Sequence, residues 1–389
     1  MAEIKENDRG WQEGAAKSIT FIVTKDCQLA CKYCYLVGKN MSERMPWEVA
    51  KAAVDYVLSR RDDPDFSQPS VIWDFIGGEP FLEIDLIDKV CDYIKTEMYR
   101  LDHPWFNSYR FSFSTNGINY DSPKVQQYIA KNREHLSVGI TIDGTERKHD
   151  LNRVYKNSEK GSYKDVVRNI PLWLKQFPGS GTKVTISSAD IPYICESVLH
   201  LYELGIHQVN INCVFEDVWA EGDDKRFEDQ LIQLADAIID KGLYENYSCS
   251  FFQEHLGHML DCKYDNQNWC GAGKMLSVDA AGNFYPCTRF AQYSLRDKQA
   301  WIIGNIHDGI DKNKLRPFLT LDRCTQSTPE CIECEISEGC AWCQGENFDA
   351  AKTHTVYERA TAICKMHKAR VRANNYYWNK LFRKLEKSR

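Results

Sequence analysis

The sequence predicts an α/β fold: a partial (β/α)6 TIM barrel followed by a small, cysteine-rich module. Three observations carry this. From about residue 18 to 240, short β-rich runs alternate with helical ones, the pattern of repeated βα units around a parallel sheet. There are six such units, too few to close an eight-stranded barrel. Beyond residue 245 the alternation fades and cysteines crowd together.

The strands are read from apolar, β-branched and aromatic runs: "SITFIV" (18–23), "VIWDFI" (71–76), "YRFSFS" (109–114), "SVGITI" (137–142), "KVTISS" (183–188) and "QVNINCV" (208–214). Helical patterns fill the intervals at roughly 46–60, 83–102, 122–131, 163–176, 191–204 and 223–241. Chemically distinctive residues follow the strand ends. Cys27 comes after the first strand, "GGEP" after the second, "TNG" after the third and "DG" after the fourth. All four thereby fall at the C-terminal face, where such barrels keep their sites. The expected organisation is an N-terminal extension (1–17), the barrel (18–244), the cysteine-rich module (245–375) and a basic C-terminal helix (376–389).

Composition narrows the function classes. A chain of 389 residues with 43% hydrophobic content can bury a large core. "MAEIKENDRGWQEG" has neither the basic start nor the apolar stretch of a secretory signal, and no run of apolar residues is long enough to span a bilayer. A cytoplasmic, non-membrane protein is expected. Sixteen cysteines in a reducing compartment point to metal or redox chemistry rather than disulfides. The formal charge of −6 argues against nucleic acid as a partner. The one charge asymmetry is Lys365 to Arg389, with nine Lys or Arg and a single acid, Glu386. It reads as a solvated helix face or as a surface for an acidic peptide leader.

The stretch "TKDCQLACKYCYLVG" (24–38) holds Cys27, Cys31 and Cys34. Three thiolates are one short of a structural zinc site, whereas a [4Fe–4S] cluster held by three keeps one iron free. With Tyr33 as the aromatic, the array resembles the C-x3-C-x-aromatic-C signature of the radical SAM superfamily. That resemblance implies that Cys27, Cys31 and Cys34 carry a catalytic [4Fe–4S] cluster whose free iron chelates S-adenosylmethionine (SAM). It further implies SAM contacts from Tyr33, from the Gly77-Gly78-Glu79-Pro80 turn toward the methionine amino group, and from Ser112, Ser114 and Asn116. Ser112 would bond the ribose. Arg153 would pair with the carboxylate, for which a planar guanidinium is suited. Sulfatase-maturing relatives have a glutamine before GGEP; here that residue is Ile76.

The C-terminal cysteines run Cys270, Cys287, Cys331, Cys334, Cys340, Cys343 and Cys364. C-x2-C pairs also serve zinc ribbons, but behind such a barrel the order resembles the seven-cysteine SPASM pattern, with the last close pair spaced by two residues rather than three. The resemblance implies two auxiliary [4Fe–4S] clusters, three in all. Cys331, Cys334, Cys340 and Cys364 would hold one, and Cys270, Cys287 and Cys343 the other. The fourth ligand of the latter stays open between Cys262, Cys324, a substrate thiol and none. Cys91, Cys195, Cys213 and Cys249 read as small buried hydrophobes.

Within the SPASM group, "GCAWC" (339–343) with "ICKMHKARVRANNYYWNKL" (363–381) resembles the maturases of thioether-bridged peptides, the ranthipeptide type. The implied partners are a cysteine-containing precursor peptide with a leader and a reductant such as flavodoxin or ferredoxin. The alternatives are carbon–carbon cross-linking, epimerisation, or formylglycine formation of the sulfatase-maturase type. Against the last, the Asp expected after the "YPC" cysteine is Thr288. Outside catalysis, the alternatives are an iron–sulfur electron carrier or a leader-binding partner.

Overall fold

The computed structural model describes residues 16–265, 268 and 270–387. The extension expected over 1–17 lies outside these residues except for its last two, which already belong to the first strand. All six expected strands form within about two residues at each end: β1 (Ala16–Thr24), β2 (Ser70–Gly77), β3 (Tyr109–Thr115), β4 (Leu136–Ile140), β5 (Thr182–Ile186) and β6 (Gln208–Cys213). The strand β1 starts two residues earlier because its buried, β-rich pattern continues back through Lys17. Short strands follow: β7 (Ser248–Cys249), β8 (Leu276–Val278), β9 (Asn283–Tyr285), β10 (Gly304–Asn305) and β11 (Gly309–Ile310).

These strands form two sheets, in the orders β11-β10-β9-β8-β1-β2-β3-β4 and β5-β6-β7. The pairs β8/β1, β1/β2, β2/β3, β5/β6 and β6/β7 are parallel, as a wound βα barrel requires. Beyond β4, Thr141 bridges Lys183 in parallel, and the Thr182 hydroxyl donates to the Ile140 carbonyl at 2.8 Å. The second sheet is widened by β7, which pairs beside β6 and lies past the expected barrel limit at 244. The "GNFYPC" segment, expected only as part of the cysteine module, supplies β9 and so extends the first sheet.

Two compact units result, and they do not follow the expected sequential boundaries. One joins the stretch ending at Gln28 to Tyr35–Val138 and Gly271–Thr320. The other comprises Leu29–Cys34, Gly139–Cys270 and Leu321–Arg389.

In the first unit, alternation along β2 and β3 sorts side chains between the faces of the sheet. Val71, Trp73 and Phe75 line up with Tyr109, Phe111 and Phe113 in the core, where Phe75 stacks between Phe21 and Phe113 at centroid distances of 5.5 and 5.3 Å. The covering helix Ile84–Arg100 buries Ile84, Ile87, Val90, Cys91, Ile94 and Met98. The opposite face carries a polar row in register, Ser277, Thr20, Asp74 and Ser112 across β8, β1, β2 and β3.

Two helical expectations change because of proline. The segment 163–176 splits into Tyr163–Val167 and Ile170–Gln176, the second starting with Pro171 in its first turn, where the missing N–H costs nothing. The segment 191–204 begins as a 3₁₀ turn containing Pro192 and becomes α-helical only from Ile194. The basic helix is also longer than expected. It runs unbroken over Cys364–Lys387, so no boundary falls at 375/376. It packs along the helix Asp223–Asp240, where Arg372 meets Glu228 (2.8 Å) and Lys380 meets Asp236 (2.8 Å) and Asp240 (3.3 Å). Part of its charge is thus answered within the chain. Among the described residues, no helix is long and apolar enough to cross a membrane.

Candidate functional site

The cysteine loop leaves the end of β1 and is held by backbone bonds on both sides. On its first half, the Gly78 N–H donates to the Thr24 carbonyl (3.0 Å) and the Glu79 N–H to the Asp26 carbonyl (2.9 Å). This contact gives the paired glycines a structural requirement of their own. A Cβ at Gly77 would lie 2.3 Å from the Thr24 oxygen, and one at Gly78 would lie 2.2 Å from the Asp26 oxygen and 2.9 Å from the Cys27 Cβ. Glycine is required there for the cysteine loop to pack on β2.

Glu79 is buried, with its carboxylate turned onto the protein. It accepts from the Thr115 hydroxyl (2.6 Å), the Asn116 N–H (2.7 Å) and the Phe81 N–H (3.1 Å). It therefore ties the end of β2 to the "TNG" turn after β3. From that turn the Asn116 amide reaches Gln28 Oε1 (3.0 Å) and Cys27 Sγ (3.8 Å). Ser112 and Ser114 stand half-buried on the polar face of β3, and Pro80 opens the 3₁₀ turn after Glu79.

On the loop's second half, the Ala30 N–H donates to the Val154 carbonyl (2.8 Å) and the Lys32 N–H to the Asn152 carbonyl (3.0 Å). Cys27 is buried, while Cys31 and Cys34 are half-buried. Tyr33 does more than fill the aromatic position. Its hydroxyl donates to Asp143 and accepts from Arg153 Nη1 at 2.9 Å. Burial, with Asp143 alongside, pushes its pKa well above the usual tyrosine value despite Arg153.

Arg153 is 6% exposed, and its Nε has no hydrogen-bond partner. Burial works against its charge, but Tyr33, the Cys31 sulfur and Asp143 hold it firmly cationic. Burial likewise opposes ionisation of Asp143, yet Lys148 and Arg153, with the Tyr33 hydrogen bond, keep its carboxyl below the usual range.

These charges belong to a buried network that sequence reasoning missed. The helix Glu146–Asn152, also unanticipated, is capped by the Thr145 hydroxyl and carries Lys148 and Asn152 one turn apart, with His149 one turn before Arg153. Lys148, fully buried, donates to the Thr185 carbonyl (2.9 Å) and lies 3.4 Å from Asp190 and 4.0 Å from Asp143. Asn152 donates to Asp190 at 2.8 Å. His149 Nδ1 accepts from the Asp143 N–H (3.2 Å), and its Nε2 meets the Ser162 hydroxyl (3.0 Å), which donates to the Arg153 carbonyl (2.8 Å). Burial pushes the imidazole down to about 3, so it is neutral. Gly144, at φ +130°, makes the turn into this helix, and a Cβ there would lie 2.1 Å from the Ser197 Cβ.

In the second unit, Cys331, Cys334 and Cys364 all lie near enough to Cys340 to oppose its ionisation, adding to burial, while Arg359 favours it. These are the four thiols expected to share one cluster. Cys340 and Cys270 both line a cavity of about 460 Å³, together with Arg323 and Arg359. Cys343 stands just before the helix Gln344–Ala350, without a capping bond from its side chain, and Cys287, in the first unit, follows β9. Cys262 and Cys324 are exposed, and their segments are tied by an Arg323–Asp265 ion pair and by the Cys324 N–H on the Asp265 carbonyl (3.4 Å). Of the four cysteines expected to be small buried hydrophobes, Cys91 and Cys249 are buried and Cys195 and Cys213 half-buried, and burial pushes all four thiols up.

Among the described residues no three of His, Cys, Asp and Glu converge closely enough to chelate a single ion. A cubane makes a different demand, since each cysteine takes its own iron. The donor chemistry fits such a group and SAM: three thiols on one short loop, and a buried cation with an unpartnered N–H, which a carboxylate would satisfy.

Comparison with known proteins agrees with this geometry. The sequence model of the Radical SAM superfamily matches residues 21–187. An uncharacterized protein of Methanocaldococcus jannaschii is 26% identical over 77% of this chain and 91% of its own length. The serine-type anaerobic sulfatase-maturating enzyme of Bacteroides thetaiotaomicron is 22% identical over 81% of this chain and 78% of its own. The structure of native anSMEcpe with bound AdoMet and Kp18Cys peptide superposes with a TM-score of 0.66 at 20% identity, covering 94% of this chain and 99% of that one. The fold is that of a radical SAM partial barrel with a cysteine-rich C-terminal region.

Proposed function

We propose that this chain is a radical SAM enzyme that modifies a cysteine-containing precursor peptide by closing thioether bridges within it. The observation that carries the SAM-dependent part is the buried Arg153, its Nε unpartnered, in the electrostatic field of Cys31. A buried N–H left without a partner is costly, and the carboxylate of SAM is a ligand that would satisfy it.

In this reading Cys27, Cys31 and Cys34 hold the catalytic cluster, and the carbonyls of the Gly77–Pro80 turn receive the methionine ammonium. Arg153 takes the carboxylate, and Ser112 the ribose. When bound, the clusters and SAM supply a 5′-deoxyadenosyl radical and an acceptor for one electron. The auxiliary sites are Cys331, Cys334, Cys340 and Cys364, and Cys270, Cys287 and Cys343. Tyr33 and Asp143 keep the Arg153 guanidinium oriented.

Closing one bridge replaces a peptide S–H and a C–H by an S–C bond. One hydrogen leaves as an atom to the radical. The thiol proton goes to solvent, and the remaining electron goes to the acceptor. That the substrate is a peptide is suggested by the peptide bound in the solved neighbour, and the thioether part of the reading rests on the resemblance of "GCAWC" and the last helix to ranthipeptide maturases.

The likeness to a sulfatase-maturating enzyme favours formylglycine formation as a second reading. Against it stand Thr288, whose carbonyl is taken by the Ser294 hydroxyl at 2.9 Å and whose side chain is no base, and Ile76 before the glycines. Mass spectrometry of a cysteine-rich peptide encoded beside this gene, co-expressed with the enzyme, decides between them. Thioether closure removes about 2 Da per bridge and leaves a cysteine that iodoacetamide no longer alkylates. A peptide that keeps every free thiol refutes it, and an unchanged mass with α-hydrogen exchange points to epimerisation.

A further inference from the structure

We infer that Arg359 sets the reduction potential of the auxiliary cluster held by Cys331, Cys334, Cys340 and Cys364. The inference rests on the reading that these thiols hold such a cluster. Arg359 Nη2 donates to Cys340 Sγ at 3.3 Å, and Nη1 donates to the Ser327 hydroxyl at 3.0 Å. The guanidinium also lies 4.4 Å from the centre of the Trp342 ring. Three contacts from one planar group fix both its position and its orientation, which a lysine ammonium would not achieve.

A second cation that acts on Cys340, Arg370, is committed elsewhere, to the carbonyls of Ser250 and Phe251 and to Gln253 Oε1. Of the two, only Arg359 hydrogen-bonds the ligand sulfur. Four thiolates make an oxidised cubane a dianion, and reduction adds one more negative charge. A fixed cation and an N–H···S bond stabilise the reduced form more than the oxidised one, so both raise the potential. A cluster poised in this way accepts an electron more readily, as bridge closure requires. Arg359 is thus a positioning and tuning residue, not a ligand.

The test uses the anaerobically reconstituted full chain with Cys27, Cys31 and Cys34 changed to Ala, so that only auxiliary clusters report. Redox titration followed by electron paramagnetic resonance compares Arg359, Arg359→Lys and Arg359→Met. The expected result is unchanged iron content and a lower midpoint potential for one couple in the Met variant, with Lys in between. Unchanged potentials at equal iron overturn the inference, as does equal loss of iron from both variants, which would make Arg359 part of the scaffold. Should only the Met variant lose iron, the Lys variant decides by whether its potential falls. Zinc in place of iron in the parent would instead sink the reading on which the inference rests.

Discussion

Removing the Arg153 guanidinium should separate SAM binding from cluster assembly. The group is 6% exposed and bonded to Tyr33, and its charge is balanced by Asp143, so Arg153→Ala leaves a buried carboxylate short of a partner. Breaking a buried ion pair in this way costs about 3–5 kcal/mol of stability. Separately, losing one charge-assisted hydrogen bond to the SAM carboxylate costs on the order of 1.5–3 kcal/mol. That corresponds to roughly 10- to 150-fold weaker binding. Tyr33→Phe supplies the comparison, because it keeps the cation and removes only the hydroxyl that orients it. Its effect on affinity should be smaller and in the same direction. Anaerobic calorimetric titration with SAM reads the affinity, guanidinium denaturation reads the stability, and iron analysis controls for the cluster. SAM affinity equal to the parent's, with iron intact, would show that Arg153 does not meet the carboxylate.

Gly78→Ala should displace the cysteine loop, since its Cβ would lie 2.2 Å from the Asp26 oxygen; about four irons should be lost from about twelve, measured by iron and sulfide analysis. Retention of all the iron would place the loop elsewhere. His149, held at about 3 against an ordinary 6.5, takes up a proton in the unfolded chain before the folded one does. Its contribution is therefore present above about 6.5 and is lost as pH falls toward 3. Stability should fall by about 1.4 kcal/mol per pH unit from this group, and His149→Gln should remove that part of the slope. An identical slope in the two proteins would mean that the ring is not held neutral. Cys340→Ala should remove about four irons and leave SAM cleavage by the catalytic cluster in place. Cys262→Ala and Cys324→Ala, examined singly, should show which thiol, if either, completes the other auxiliary site.

The parts of this molecule that were readable in advance are those with a local signal. The strands β1 to β6 announce themselves because each is a run of five or more apolar or alternating residues. The cysteine loop is readable because its chemistry is written in spacing. The strands β8 to β11 escape because two or three residues carry no period, and only pairing beside β1 makes them strands. The buried network around Lys148, Asp143 and Asp190 escapes for a different reason. "RKHDLNRVY" looks like a solvated, charged surface, and nothing local says that Lys148 is fully enclosed. A signal was nonetheless available in the i, i+4 pairing of Lys148 with Asn152 and of His149 with Arg153. Similarly, the paired glycines 77 and 78 stand out in the sequence, but nothing local shows that the chain's own loop also approaches them.

The central claim is that the thiols of Cys27, Cys31 and Cys34 support radical generation from SAM. The most direct measurement is chromatographic quantitation of 5′-deoxyadenosine and methionine after dithionite reduction of the reconstituted protein with SAM, beside the variant in which those three cysteines are alanine. The account predicts both products in equal amounts from the parent and neither from the variant. Equal product from both proteins, or none from a parent that carries its full iron, would contradict it.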